Sequence, residues 1–178
     1  STNASRLTLE RIFALGEFDG EGGGSFRWSK DGHSYLGFEP AAKGSGRDLV
    51  RHDAASGKRE ILVPSHHFIP PGDSKPLSVE DYEFSDDGAR LLIFTNGRRV
   101  WRVNSRGDYW LLDLTSHELK KLGGDAPAST LMFAKLSPDG RRVCYVRANN
   151  LYAQDTGDLR VTALTTNGSE TIINGTFD

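Results

Sequence analysis

Tyr82-Glu83-Phe84-Ser85-Asp86-Asp87-Gly88-Ala89-Arg90-Leu91-Leu92 carries the pattern that organises the chain. It reads apolar residue, Ser, any residue, Asp, Gly, two further residues, then an apolar strand. Asp-Gly between two apolar runs is a hairpin turn, because glycine accepts a positive φ without a Cβ clash. Ser and Asp side chains bond nearby backbone N–H groups and fix such a turn. The run that follows, Leu91-Leu92-Ile93-Phe94, is continuously apolar, as burial on both faces of a strand requires.

The same pattern stands at two other places, Phe26-Arg27-Trp28-Ser29-Lys30-Asp31-Gly32 and Ala134-Lys135-Leu136-Ser137-Pro138-Asp139-Gly140. Ser29, Ser85 and Ser137 are 56 and then 52 residues apart. A second hairpin follows each first one. Its leading strands are Asp48-Leu49-Val50-Arg51-His52-Asp53, Asp108-Tyr109-Trp110-Leu111-Leu112-Asp113 and Asn150-Leu151-Tyr152-Ala153-Gln154-Asp155. Its returning strands are Glu60-Ile61-Leu62-Val63, Leu119-Lys120-Lys121-Leu122 and Val161-Thr162-Ala163-Leu164. Two hairpins per repeat make one four-stranded antiparallel blade, and repeats of this length belong to propellers. The expected fold class is all-β, a partial β-propeller of about three four-stranded antiparallel blades. Helical periodicity is confined to a turn or two at Leu7-Thr8-Leu9-Glu10-Arg11-Ile12-Phe13.

Composition excludes several classes. The 178 residues carry 22 basic and 24 acidic side chains, so no basic field points to nucleic acid. No apolar run approaches the roughly 20 residues needed to span a bilayer. The single cysteine, Cys144, cannot form an internal disulfide, and Val143-Cys144-Tyr145-Val146 reads as a strand with a buried, inert thiol. His66-His67 with Asp73 offers no regular metal-ligand spacing, since adjacent histidines on a strand point to opposite faces. Asp31, Asp86, Asp87 and Asp139 are turn formers rather than catalytic acids. Glu80, Asp81 and Glu83 are expected to face solvent. No catalytic residue, metal site or cofactor is assigned.

Two connections are long. Pro64 to Ser78 holds four of the seven prolines. Thr95 to Gly107 is polar and basic, with Arg98, Arg99, Arg102 and Arg106 around Trp101. A long loop on a rigid scaffold is where function concentrates, so this is the candidate site. Trp101 and Trp110 could line a cleft, although aromatics beside strands are more often core.

The Ser-x-Asp-Gly blades resemble those of propellers that cap serine peptidases of the prolyl oligopeptidase clan. Three places resemble the dipeptidyl peptidase IV family in particular. One is Asn149-Asn150-Leu151-Tyr152 with Leu164-Thr165-Thr166-Asn167-Gly168 and Ile172-Ile173-Asn174-Gly175-Thr176-Phe177-Asp178. The others are Trp101-Arg102 ahead of Asp108-Tyr109-Trp110-Leu111-Leu112-Asp113, and the opening Leu7 to Phe13. The resemblance implies that residues 1–178 belong to an N-terminal propeller that caps a C-terminal α/β-hydrolase domain. It implies a parent serine peptidase that removes N-terminal dipeptides with proline or alanine in second place. Arg102 is implied as the arginine that bonds a substrate carbonyl and supports a pair of amine-binding glutamates. The family places those glutamates after a Trp-Val-Tyr stretch, which would begin one residue beyond Asp178. This chain holds no Gly-x-Ser-x-Gly nucleophile elbow, so no peptidase activity is expected of it alone.

The implied partners are a peptide substrate and the α/β-hydrolase domain, with no nucleic acid. Blades too few to close a ring expose strand edges, so self-association is expected. The implied compartment is periplasmic or secreted, with the cytoplasm as the alternative. The rival reading is a non-catalytic propeller-like interaction module. A propeller-type glycan-active protein is a weaker third.

Overall fold

The computed structural model describes residues 7–13, 25–100 and 103–176. It is built from antiparallel strands, apart from one helical turn at Leu9–Phe13 and a 3₁₀ turn at Ser65–Phe68. The first meander contains β1 (Phe26–Trp28), β2 (Ser34–Pro40), β3 (Arg47–Asp53) and β4 (Arg59–Val63), paired in that order. The second contains β5 (Asp81–Phe84), β6 (Arg90–Val100), β7 (Val103–Asp113) and β8 (Leu119–Lys121). The third contains β9 (Leu131–Leu136), β10 (Arg142–Arg147), β11 (Asn150–Asp155) and β12 (Val161–Ala163). These are the three four-stranded blades expected from the repeat. No described helix is long and apolar enough to cross a membrane.

One feature of the pairing was not expected. The second and third blades form one eight-stranded sheet, because β7 pairs with β9 through Arg106↔Met132 and Gly107↔Leu131. By contacts the chain divides into two compact units. One is Ser1–Glu39 with Leu49–Leu62, and the other is Pro40–Asp48 with Val63–Asp178.

The repeated turns have one construction. Ser29, Ser85 and Ser137 each donate a hydroxyl hydrogen bond to the aspartate two residues on, at 2.5 Å for Asp87 and 2.6 Å for Asp139. Each aspartate also accepts the backbone N–H two residues further, from His33, Ala89 and Arg141. Gly32, Gly88 and Gly140 sit at φ of 70°, 69° and 66°, which a Cβ would strain. The serine hydroxyl, then the backbone N–H, holds Asp31, Asp87 and Asp139 below the usual carboxylate range. The acids at these positions are therefore structural, as their repetition implied.

The core lies between the second and third blades. Leu92, Tyr109 and Leu111 pack with Leu122, Leu131, Ala134, Val143 and Tyr145. Leu91, Leu92 and Ile93 are all buried, so β6 is covered on both faces as its apolar run required. β10 behaves differently. Val143 and Tyr145 are buried while Cys144 between them is exposed, which corrects the expected buried thiol. The period of two along a strand sends Cys144 to the face opposite the core.

Candidate functional site

The basic stretch from Thr95 to Gly107 is not a loop. β6 and β7 continue past the blade as a two-stranded ribbon. After Thr95↔Asp108 the register shifts, then Arg98 pairs with Arg106, Arg99 with Asn104 and Val100 with Val103. Arg98, Arg99 and Arg106 are exposed. Arg98 and Arg106 stand directly opposite each other, an arrangement that repels and concentrates positive charge on a narrow arm. Trp101 and Arg102, which connect Val100 to Val103 in sequence, lie outside the described residues. Trp110 lies on β7 and is half-buried.

The root of the ribbon is tied down from both sides. At the register shift Asn96 takes φ of 52°, in the left-handed region. Its side-chain amide donates to Asp108 Oδ2 at 2.8 Å, and its carbonyl accepts the Ser129 hydroxyl at 2.7 Å. Asp108 Oδ1 accepts the Ser129 backbone N–H at 2.9 Å, with Lys121 Nζ 3.7 Å away. On the other side Glu80 accepts the Gly97 N–H at 2.7 Å, and the Thr95 hydroxyl donates to the Ser78 carbonyl at 2.7 Å. Gly107 has no room for a side chain, since a Cβ there would overlap the Phe94 ring. Thr95, Asp108 and Ser129 are all buried. The arm therefore leaves the sheet from a fixed base, which is the geometry needed to hold an arginine in place.

Asp108 belongs to a series that the turn motif did not reveal. The first residue of the third strand in each blade accepts a hydrogen bond from the chain leaving that blade. Asp48 accepts the Ser65 N–H at 2.7 Å, Asp108 that of Ser129, and Asn150 that of Gly168 at 2.9 Å. All three side chains are buried. The sequence signal was present as Asp48, Asp108 and Asn150 heading each quoted strand.

Beside the ribbon root lies a cleft of about 520 Å³ between β5 and β9. Leu92, Phe94, Tyr109 and Ala134 line its depth, and Phe133 and Lys135 line its β9 side. Glu80, Asp81 and Glu83 stand along its β5 side. These acids were expected to face solvent alone. Instead they border a cavity, with Glu83 bonded to Lys135 Nζ at 2.9 Å.

His66 and His67 lie on the 3₁₀ turn rather than on a strand, so their rings do not point to opposite faces. The ring centroids are 4.1 Å apart, and His67 lies 3.9 Å from His117 in the β7–β8 turn. No group of three His, Cys, Asp or Glu among the described residues is placed to hold a metal ion. Burial, then the charges of His117 and His66, hold His67 below the ordinary imidazole range. The folded chain then binds fewer protons at this site than the unfolded chain. The contribution to stability is complete above about pH 6.5 and is lost as pH falls through the lower folded value. Melting temperature should accordingly drop between pH 7 and pH 5, and His67→Gln should flatten that slope. Parallel slopes for the two chains would contradict the assignment.

Known proteins share these features. The family model describing the dipeptidyl peptidase IV (DPP IV) N-terminal region matches residues 85–178, more than half of the chain. A probable dipeptidyl-aminopeptidase B from Trichophyton verrucosum is 29% identical over 127 residues, covering 71% of this chain and 14% of that protein. Dipeptidyl peptidase 4 from Trichophyton equinum is 30% identical over 126 residues, covering 71% of this chain and 16% of that protein. The crystal structure of Porphyromonas gingivalis dipeptidyl peptidase 4 superposes with a TM-score of 0.72 at 26% identity, over 92% of this chain and 22% of that one. The chain thus spans under a quarter of the length of these relatives. Its blade repeat, its twelve-strand order and the match over residues 85–178 agree, and the chain belongs to the dipeptidyl peptidase IV family as part of its N-terminal region.

Proposed function

We propose that this chain is the substrate-contacting propeller part of a serine exopeptidase that releases N-terminal Xaa-Pro or Xaa-Ala dipeptides. The observation that carries the reading is the arginine ribbon on its fixed base of Asp108, Asn96, Ser129 and Glu80. A planar guanidinium gives several directed donors and a permanent charge, which suits a peptide carbonyl and neighbouring carboxylates. Arg102 is the residue assigned to that contact. The acyl-transfer chemistry belongs to an α/β-hydrolase domain joined to this one, and this chain alone turns nothing over. A periplasmic or secreted location goes with the reading.

The strand edges fit a part that packs against more of its own kind. Phe26 and Trp28 on β1 are 53% and 63% exposed, and β1 pairs only with β2. Isolated, the chain self-associates through such edges, and light scattering should show species larger than a monomer.

The decisive experiment uses the protein in which this chain is joined to its hydrolase domain. Arg102→Ala should lower kcat/KM on a Gly-Pro amide about 100-fold, roughly 2.7 kcal/mol of transition-state stabilisation. The chain alone should bind an Ala-Pro peptide without cleaving it. An unchanged kcat/KM in the variant, or turnover by the isolated chain, would overturn the reading.

A further inference from the structure

We propose that the cleft between β5 and β9 is a subsite for a basic side chain of a bound peptide, lysine or arginine, beyond the contact assigned to Arg102. The inference rests on the peptide-binding reading above and adds a specificity to it.

The cleft follows from the alternation of β5. Asp81 pairs with Phe94 and Glu83 with Leu92, so both acids share the sheet face that Leu92, Tyr109 and Leu111 present to the third blade. On β6 and β7 that face is closed by Ala134, Val143 and Tyr145. On β5, where a closed seam needs apolar side chains, the sequence places two carboxylates. The seam stays open there, and about 520 Å³ remains. That volume is typical of ligand pockets and exceeds one lysine side chain, so peptide backbone enters with it.

The lining selects the occupant. Phe133 is 49% exposed at φ of 54°, and Phe94 and Tyr109 present further ring surface in the cleft. Aromatic faces hold an alkyl stem and attract a cationic head. Three carboxylates, Glu80, Asp81 and Glu83, face one cation, Lys135, so the walls carry a formal charge of −2. An acidic side chain meets like charge here. A neutral apolar one covers carboxylates without compensating them. A basic side chain satisfies both the rings and the acids.

The test uses this chain and dye-labelled hexapeptides beginning Ala-Pro, with lysine, alanine or glutamate placed in turn at positions three to six. Fluorescence anisotropy should show one position at which lysine binds about tenfold tighter than alanine, and glutamate more weakly than either. The double variant D81N/E83Q should remove the lysine preference and leave the alanine peptide's affinity unchanged. F133A should weaken the lysine peptide alone. Equal affinity for lysine and alanine at every position overturns the subsite while leaving peptide binding intact. Failure of every peptide to bind overturns both. The peptide series on the unmutated chain decides the matter even if a variant misfolds.

Discussion

Asp108→Ala should lower the stability of the joined second and third blades by about 3 kcal/mol and release the arginine ribbon from its base. Asp108 is 7% exposed and accepts from both the Ser129 backbone and the Asn96 side chain. Alanine leaves the buried Ser129 N–H without a partner and deprives Asn96 of the contact that supports its left-handed backbone. Each buried group so stranded costs about 1–3 kcal/mol. Asp108→Asn should cost less, about 1–2 kcal/mol, because an amide oxygen still accepts from Ser129 while its NH₂ opposes the Asn96 NH₂. Asn150 succeeds at the equivalent position because the chemistry differs. Its oxygen accepts from Gly168 and Thr165, and its amide donates to the Ala148 carbonyl at 3.1 Å. Urea titration gives the stability, and hydrogen exchange over residues 96–107 gives the local effect. Wild-type protection of the ribbon in Asp108→Ala would show that its base is elsewhere.

The blades were legible because their signals are local. Ser, Asp and Gly of each hairpin turn lie within four residues of one another, and the hydrogen bonds they make are those the motif dictates. What escaped the reading is non-local. Asp108 takes its partners from twelve residues before it and twenty-one after it, so nothing in its neighbourhood marks it as a hub. The ribbon was read as a loop because Arg98, Arg99 and Arg106 carry no apolar alternation. Its strands are defined by backbone pairing, which charged side chains do not forbid. Cys144 was misplaced for a related reason. Val143-Cys144-Tyr145-Val146 is a continuous apolar run, but only the structure tells which of its faces the core covers. Of the candidate residues themselves, Arg102 stays legible only through the family resemblance, whereas the base that holds its ribbon is legible only in three dimensions.

Tyr145 provides the sharpest separation of packing from polarity. It is 1% exposed in the seam between the second and third blades, stacked on Tyr152 at 5.8 Å with rings 14° apart. Arg147 lies over the Tyr152 ring at 4.8 Å, so the two tyrosines and the arginine form a layered stack. Tyr145→Ala removes the largest buried side chain of this core and should cost about 3–5 kcal/mol through lost transfer energy and the cavity left behind. Against the about 5–15 kcal/mol that holds a typical domain together, this loss is enough to disrupt the seam. The hydroxyl acts in the opposite sense. It is buried and has no hydrogen-bond partner among the described residues, and burial pushes the phenol pKa up, with Arg147 opposing. Tyr145→Phe keeps the ring and discards an unsatisfied polar atom, so it should be neutral or stabilising by up to about 1 kcal/mol. Urea unfolding of the three chains, followed by tryptophan fluorescence, checks the order Phe at or above Tyr, with Ala far below. A marked loss in Tyr145→Phe would mean that the hydroxyl holds the seam through a hydrogen bond. A loss confined to alanine would mean that ring packing binds the third blade to the one that carries the ribbon.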